Sequence, residues 1–155
     1  MLNNAISNFK DTTKKIEELK RLPDSTLTTP IQKDKWSIRE IIGHVYYWDK
    51  FNLEKMVPFM LNDAILQAFP DHDLHNKEAL EHIDKFESVE QIIDTFVSTR
   101  RKLAAELSSI DEDVEFQIEN EPIEFTVESF VSIFIEHDSH HLQQIDNHLK
   151  NREFN

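Results

Sequence analysis

The chain has 155 residues, 39% of them hydrophobic and 30% charged, a balance that suits one soluble globular domain and excludes a disordered chain. Asp and Glu number 30 against 17 Lys and Arg; the formal net charge of −13 repels phosphate backbones and anionic headgroups, so neither nucleic-acid nor membrane partners are expected. No cysteine is present, which removes disulfides, thiolate metal sites and cysteine nucleophiles, and the single glycine, Gly43, cannot furnish a Rossmann fingerprint, a P-loop or a nucleophile elbow.

The opening MLNNAISNFK lacks the apolar centre of a signal peptide, and no stretch approaches the roughly 18 apolar residues of a membrane span, so a cytoplasmic location is expected. Leu2, Ala5, Ile6, Phe9, Ile16 and Leu19 fall on one stripe of a first amphipathic helix that ends near Leu22 and Pro23. Asp24 to Lys35, with three threonines, Ser25 and Pro30, is a long polar connection. Ser37 and Glu40 have the spacing of a capping box, and Ile38, Ile41, Val45, Trp48, Asn52, Met56 and Phe59 follow at helical intervals. Pro58 lacks the N–H for the ladder, so this second helix kinks or stops just before it.

Residues 61–87 form an irregular crossover with a short helix around Lys77–Phe86. Ser88 and Gln91 offer a second capping box, opening a third helix on Ile92, Ile93, Phe96, Val97, Leu103 and Leu107. Val114–Glu119 alternates apolar with polar, and Ile123–Phe125 lies just beyond, the pattern of a short hairpin or an extended loop. A fourth helix runs from about Thr126 to near Asn151 on Val127, Phe130, Val131, Phe134, Leu142, Ile145 and Leu149. Four long amphipathic helices joined by long connections predict an all-α fold, a four-helix bundle with crossovers, as a single domain over residues 1–155.

The eight histidines are placed unevenly. On the fourth helix His141 lies about 40° from His137 on the core-facing half, and the i, i+4 spacing puts their Cβ atoms about 5–6 Å apart, close enough to share a metal. His140 falls off that face. On the second helix His44 sits at the border of the buried stripe, one turn before Trp48; a third imidazole from there would complete a set of three nitrogens with positions left open. A single i, i+4 pair is weak by itself, and a border histidine such as His44 is also compatible with a purely structural role.

Asp138 points into the core, where its carboxylate needs Arg39 or another cation, or serves as the hydrogen-bond acceptor of a metal-bound imidazole; proton transfer is its other candidate role. His137-Asp138-Ser139-His140-His141 also has the H-D-x-x-H form of a near zincin, but without the zincin framework or room downstream for a third ligand. Glu40 is a candidate fourth ligand that its cap already explains. His72, His75 and His82 belong to a solvated loop or line a substrate pocket, and His148 fills core or faces a dimer partner. Trp36, Tyr46, Tyr47, Trp48 and Phe51 are packing groups, some of them able to wall the pocket.

The run Trp36-Ser37-Ile38-Arg39-Glu40-Ile41-Ile42-Gly43-His44-Val45-Tyr46-Tyr47-Trp48-Asp49, paired with Glu136-His137-Asp138-Ser139-His140-His141-Leu142-Gln143-Gln144-Ile145, resembles the DinB-like superfamily, whose members include bacillithiol and mycothiol S-transferases. The likeness extends over essentially the whole chain. It implies a bundle of up-down-down-up type, often a homodimer, and a divalent metal ion, typically zinc or nickel, on histidines that align with His44, His137 and His141. The activity expected from it is that of a metal-dependent thiol S-transferase joining a low-molecular-weight thiol to a small electrophile. A hydrolase in which the metal activates water, and a non-catalytic metal-binding or dimerisation module, are the alternatives.

Overall fold

A computed structural model describes residues 2–153. Helix α1 spans Leu2–Glu18 and tightens into a 3₁₀ turn at Leu19–Arg21 before Pro23; its stripe of Leu2, Ile6, Phe9 and Ile16 is buried. The polar connection that follows is more structured than its composition suggests. Asp24–Thr28 forms a short helix, α2, because Thr26 and Leu27 find cover in the core, and Pro30 pairs with Ser37 in an isolated bridge.

Helix α3 spans Ile38–Phe51 and opens with the full capping box: the Glu40 N–H donates to Ser37 Oγ at 3.2 Å, and the Ser37 N–H to Glu40 Oε1 at 3.0 Å. Ahead of Pro58 it widens into a π turn at Asn52–Met56 and ends in a 3₁₀ turn at Val57–Phe59.

The crossover holds a strand and a longer helix than expected. Strand β1 is Ile65–Leu66, and α4 spans His72–Ile83, starting five residues earlier than the apolar pattern shows because Asp71 caps it by accepting from the Leu74 N–H at 3.0 Å. Helix α5 spans Val89–Ser108. Its Ser88 cap accepts from Gln91 as predicted, but the Gln91 side chain reaches to the Glu87 N–H, 2.7 Å away. Strands β2 (Phe116–Ile118) and β3 (Glu124–Phe125) form the antiparallel ribbon left open by the sequence, and β1 adds to β2 in parallel. Helix α6 spans Val127–Glu153.

The long helices α1, α3, α5 and α6 make the bundle. Lys20 pairs with Asp94 while the Phe9 carbonyl meets Arg100, so α1 and α5 run antiparallel. His44 meets His137 and Trp48 meets Phe134, so α3 and α6 are antiparallel as well. The first turns of α3 and α5 share one apolar cluster, with Ile38, Ile41, Ile92 and Ile93, and their far ends share another, with Trp48, Met56, Leu103 and Leu107. Those two helices are therefore parallel, and the bundle is up-down-down-up.

Candidate metal centre

Between the two apolar clusters lies a polar layer. Arg100, on α5, is fully buried; its guanidinium stacks 3.7 Å from the Phe9 ring of one cluster and 5.0 Å from the Phe96 ring of the other. It donates to Asp49 through Nε (2.7 Å) and Nη2 (3.0 Å), to Asp138 through Nη1 (2.7 Å) and Nη2 (3.2 Å), and to the Phe9 carbonyl (2.8 Å). Burial works against the guanidinium charge, but Asp49 and Asp138 outweigh it and hold the group above its ordinary value. Arg100 is thus the cation for Asp138. Arg39, the other candidate, turns instead to the Ile83 carbonyl and Asp84 at the end of α4.

Asp138 is the inward step of α6 between two histidines, and from this layer the helix carries His137 and His141 toward α3. The Nε2 atoms of His44 and His137 are 2.9 Å apart, and those of His137 and His141 3.2 Å. The three side chains form the one group of ligand atoms, all within 4.8 Å of one another, that suits a metal ion among the described residues. Burial pushes all three imidazoles down, His44 and His137 to about 3, with the neighbouring rings adding to the shift; for His141 the Gln144 amide opposes it.

The donor set fits a divalent ion. His141 Nδ1 donates to the Gln144 side-chain carbonyl at 2.8 Å; a carbonyl oxygen only accepts, so Nε2 of this neutral ring carries a bare lone pair. His44 Nδ1 is buried without a hydrogen-bond partner, and so is Oδ1 of Asn76 on α4, the amide beside it that favours the protonated ring. A proton on His44 Nδ1 directed at that carbonyl would leave Nε2 bare as well. His137 Nε2 lies within hydrogen-bonding distance of both, and a cation placed among the three nitrogens would engage the same lone pairs. Metal–nitrogen bonds of about 2.0–2.1 Å would separate adjacent nitrogens by about 2.9 Å at right angles and about 3.3 Å at tetrahedral angles, which brackets the His44–His137 and His137–His141 spacings.

A cavity of about 450 Å³ opens on the triad, walled by Trp36, Trp48, Phe69, Ile133 and Phe134, with His72, Asn76 and Glu121 as its other polar groups. A larger groove of about 670 Å³ runs between α1 and α6, but it is lined by side chains such as Asp11, Lys15, Asp146 and Lys150 and holds no histidine. The remaining candidates lie apart from the triad's point of convergence. The Glu40 carboxylate is occupied by its cap. His140 is exposed. His75 is not solvated: it is buried 4.2 Å from the Trp48 ring and pushed down to about 4 by burial. His82 faces the Tyr46 hydroxyl at 3.1 Å, and His148 lines a separate groove with Gln32 and Lys35.

Arg100 and Asp49 are the polar residues that sequence reasoning passed over. Their signal was present, since Arg100 continues the α5 stripe of Phe96, Leu103 and Leu107 and Asp49 continues the α3 stripe of Ile38, Ile42 and Val45. Asn76, Phe69 and Glu121 carried no comparable signal, because they reach the cavity from separate connections.

A sequence profile described as the DinB superfamily matches residues 9–145. Among curated proteins, the uncharacterized protein YuaE of Bacillus subtilis (strain 168) is 27% identical over 140 residues, covering 83% of this chain and 86% of that protein. Among solved structures, YfiT from Bacillus subtilis superposes with a TM-score of 0.69 at 15% identity, over 97% of this chain and 87% of that chain. YfiT is described as a probable metal-dependent hydrolase with an unusual four-helix bundle topology.

Proposed function

The chain belongs to the DinB superfamily, and from that premise we propose that it is a metal-dependent enzyme acting on a small electrophile in the cavity beside His44, His137 and His141. The observation that carries this reading is the convergence of three imidazole nitrogens from two helices at the wall of an apolar cavity. A divalent ion held there, zinc or nickel in our proposal, would supply Lewis acidity and stabilise the deprotonated form of a water or thiol. His44, His137 and His141 hold the ion and leave its remaining positions toward the cavity. Gln144 accepts from His141 Nδ1 and so keeps its Nε2 free, and in this reading the Asn76 carbonyl would hold a proton on His44 Nδ1 to the same effect. Arg100 fixes the height of Asp138, and with it the segment of α6 that carries the two histidines. Asp138 in this reading positions the site; both its oxygens are taken by Arg100, so it is not our choice for moving a proton. Trp36, Trp48, Phe69 and Phe134 exclude water and hold the electrophile.

We propose a low-molecular-weight thiol as the nucleophile, the S-transferase reading. The chain contains no cysteine, so the attacking sulfur would come from the cosubstrate. Hydrolysis is the second reading, favoured by the description of YfiT. The test begins with elemental analysis of untagged protein, where one ion per chain is expected, and near none in His137→Ala. Turnover of electrophiles is then measured with and without a panel of thiols. Turnover that needs the thiol supports transfer, equal turnover of esters or amides without it supports hydrolysis, and protein purified without chelator that holds no ion overturns both.

A further inference from the structure

Trp48, Phe69 and Phe134 pack with ring centroids 5.7–6.2 Å apart and form a continuous aromatic wall, extended by Trp36, which lies 4.8 Å from the His44 ring. No lysine or arginine lines this cavity. The one carboxylate that does is Glu121, exposed in the turn between β2 and β3; its carboxylate has no cationic partner among the described residues. Nor does it belong to the group of atoms that converge as metal ligands. The faces of aromatic rings are negative and attract organic cations, and a carboxylate at the rim adds to that preference while repelling anions.

We propose that the substrate is a small organic ammonium compound whose apolar, preferably aromatic, body lies against the Trp and Phe wall and whose cationic nitrogen is selected by Glu121. This deepens the functional reading above and rests on its assignment of the cavity to the substrate. A bound divalent ion does not conflict with it. The ion and Glu121 are sites of opposite charge, so a substrate spanning them offers an electron-rich atom to one and its ammonium to the other. A substrate with an anionic tail would meet Glu121 with no cation to offset it.

Trp36 and Trp48 are the only tryptophans in the chain and both line the cavity, so intrinsic fluorescence reports on it directly. The experiment titrates metal-stripped protein with benzylamine, benzyl alcohol and benzoate, three probes of similar size and different charge. It is run at pH 8, where uncoordinated imidazoles are neutral, and at about 0.15 M salt, where the general field of the acidic surface is screened. Benzylamine is expected to bind at least about fivefold more tightly than benzyl alcohol, with benzoate weakest. In Glu121→Gln the advantage of benzylamine over the alcohol should shrink at least about threefold, while the alcohol's own affinity moves less than about twofold. Equal affinities for amine and alcohol, benzoate binding tightest, no change in emission with any probe, or a preference undiminished in Glu121→Gln would each overturn the proposal. The ion content of the same preparation is measured before stripping, so a protein that never held metal is told apart from a cavity without charge selectivity.

Discussion

Arg100 lies out of reach of solvent, and its five N–H groups face two carboxylates and a main-chain carbonyl. Removing one partner of such a set leaves the others buried and unpaired, which costs far more than the net worth of the interaction. Arg100→Met should therefore destabilise the fold by about 3–5 kcal/mol, read from the denaturant midpoint; a loss below about 1 kcal/mol would show that Asp49 and Asp138 find other partners. The amides of Gln144 and Asn76, behind the candidate metal centre, act differently in our proposal, since their part is to set ring tautomers and they bear little of the fold's weight. Gln144→Leu and Asn76→Leu should each weaken ion binding by about 10- to 100-fold in a chelator competition while leaving the melting temperature of metal-stripped protein within a few degrees. Unchanged ion affinity in both would mean that the rings are oriented by packing alone.

At the scale of elements, the single glycine explains how α3 and α4 meet. A Cβ built on Gly43 would lie 2.6 Å from Ile83 Cδ1 and 2.8 Å from its Cγ2, and Ile83 is itself fully buried. Glycine in a helix interior costs up to about 1 kcal/mol relative to alanine, so its place in α3 is held by the close approach of α4. Gly43→Ala should destabilise by about 1–3 kcal/mol through overpacking in spite of its better helix propensity, and the double variant with Ile83→Val should recover part of the loss. Since Asn76 rides on α4 beside His44, the single variant should also weaken ion binding, measured in the same competition. Element ends were legible where the signal is local: Ser37 with Glu40, Ser88 with Gln91, and Pro58 each act within four residues. The start of α4 was hidden, because His72 and Asp73 look like loop and only the Asp71 cap tells otherwise. The three-stranded sheet was hidden for another reason: its strands are two or three residues long, and β1 pairs with β2 across some fifty positions of chain.

For the whole molecule, pH acts through histidines held neutral by burial. His44 and His137 are pushed down to about 3 and His75 to about 4, from an ordinary value of 6.5. Between those limits the unfolded chain binds protons that the folded chain refuses, so stability falls as pH is lowered, by up to about 1.4 kcal/mol per pH unit for each group; above about 6.5 they contribute no slope. Metal-stripped protein should accordingly lose its cooperative transition in stepwise acidification from pH 7 toward 4, while midpoints at pH 7 and 8 agree. A midpoint independent of pH from 7 to 4 would contradict the buried neutral rings. The ion-loaded protein should lose its ion over the same range, because protons compete for the same nitrogens. No described helix is long and apolar enough to cross a membrane. We propose a homodimer as the assembly, to be checked by sedimentation at micromolar concentration, where a mass near 18.4 kDa would mark a monomer instead.

Periodicity along the chain determined the four long helices, which faces they bury, and the inward placing of His137 and His141, because hydrophobic burial and the 3.6-residue repeat are written into neighbouring residues. The paired motifs, through their DinB-like resemblance, added His44 to them, and only the tertiary structure decided that Arg100 and not Arg39 neutralises Asp138 and that Glu121 and Phe69 reach the same cavity. Those outcomes depend on which helix packs beside which and in what direction. Such facts are fixed by the mutual fit of surfaces distant in the chain, for which no short stretch of residues carries the information.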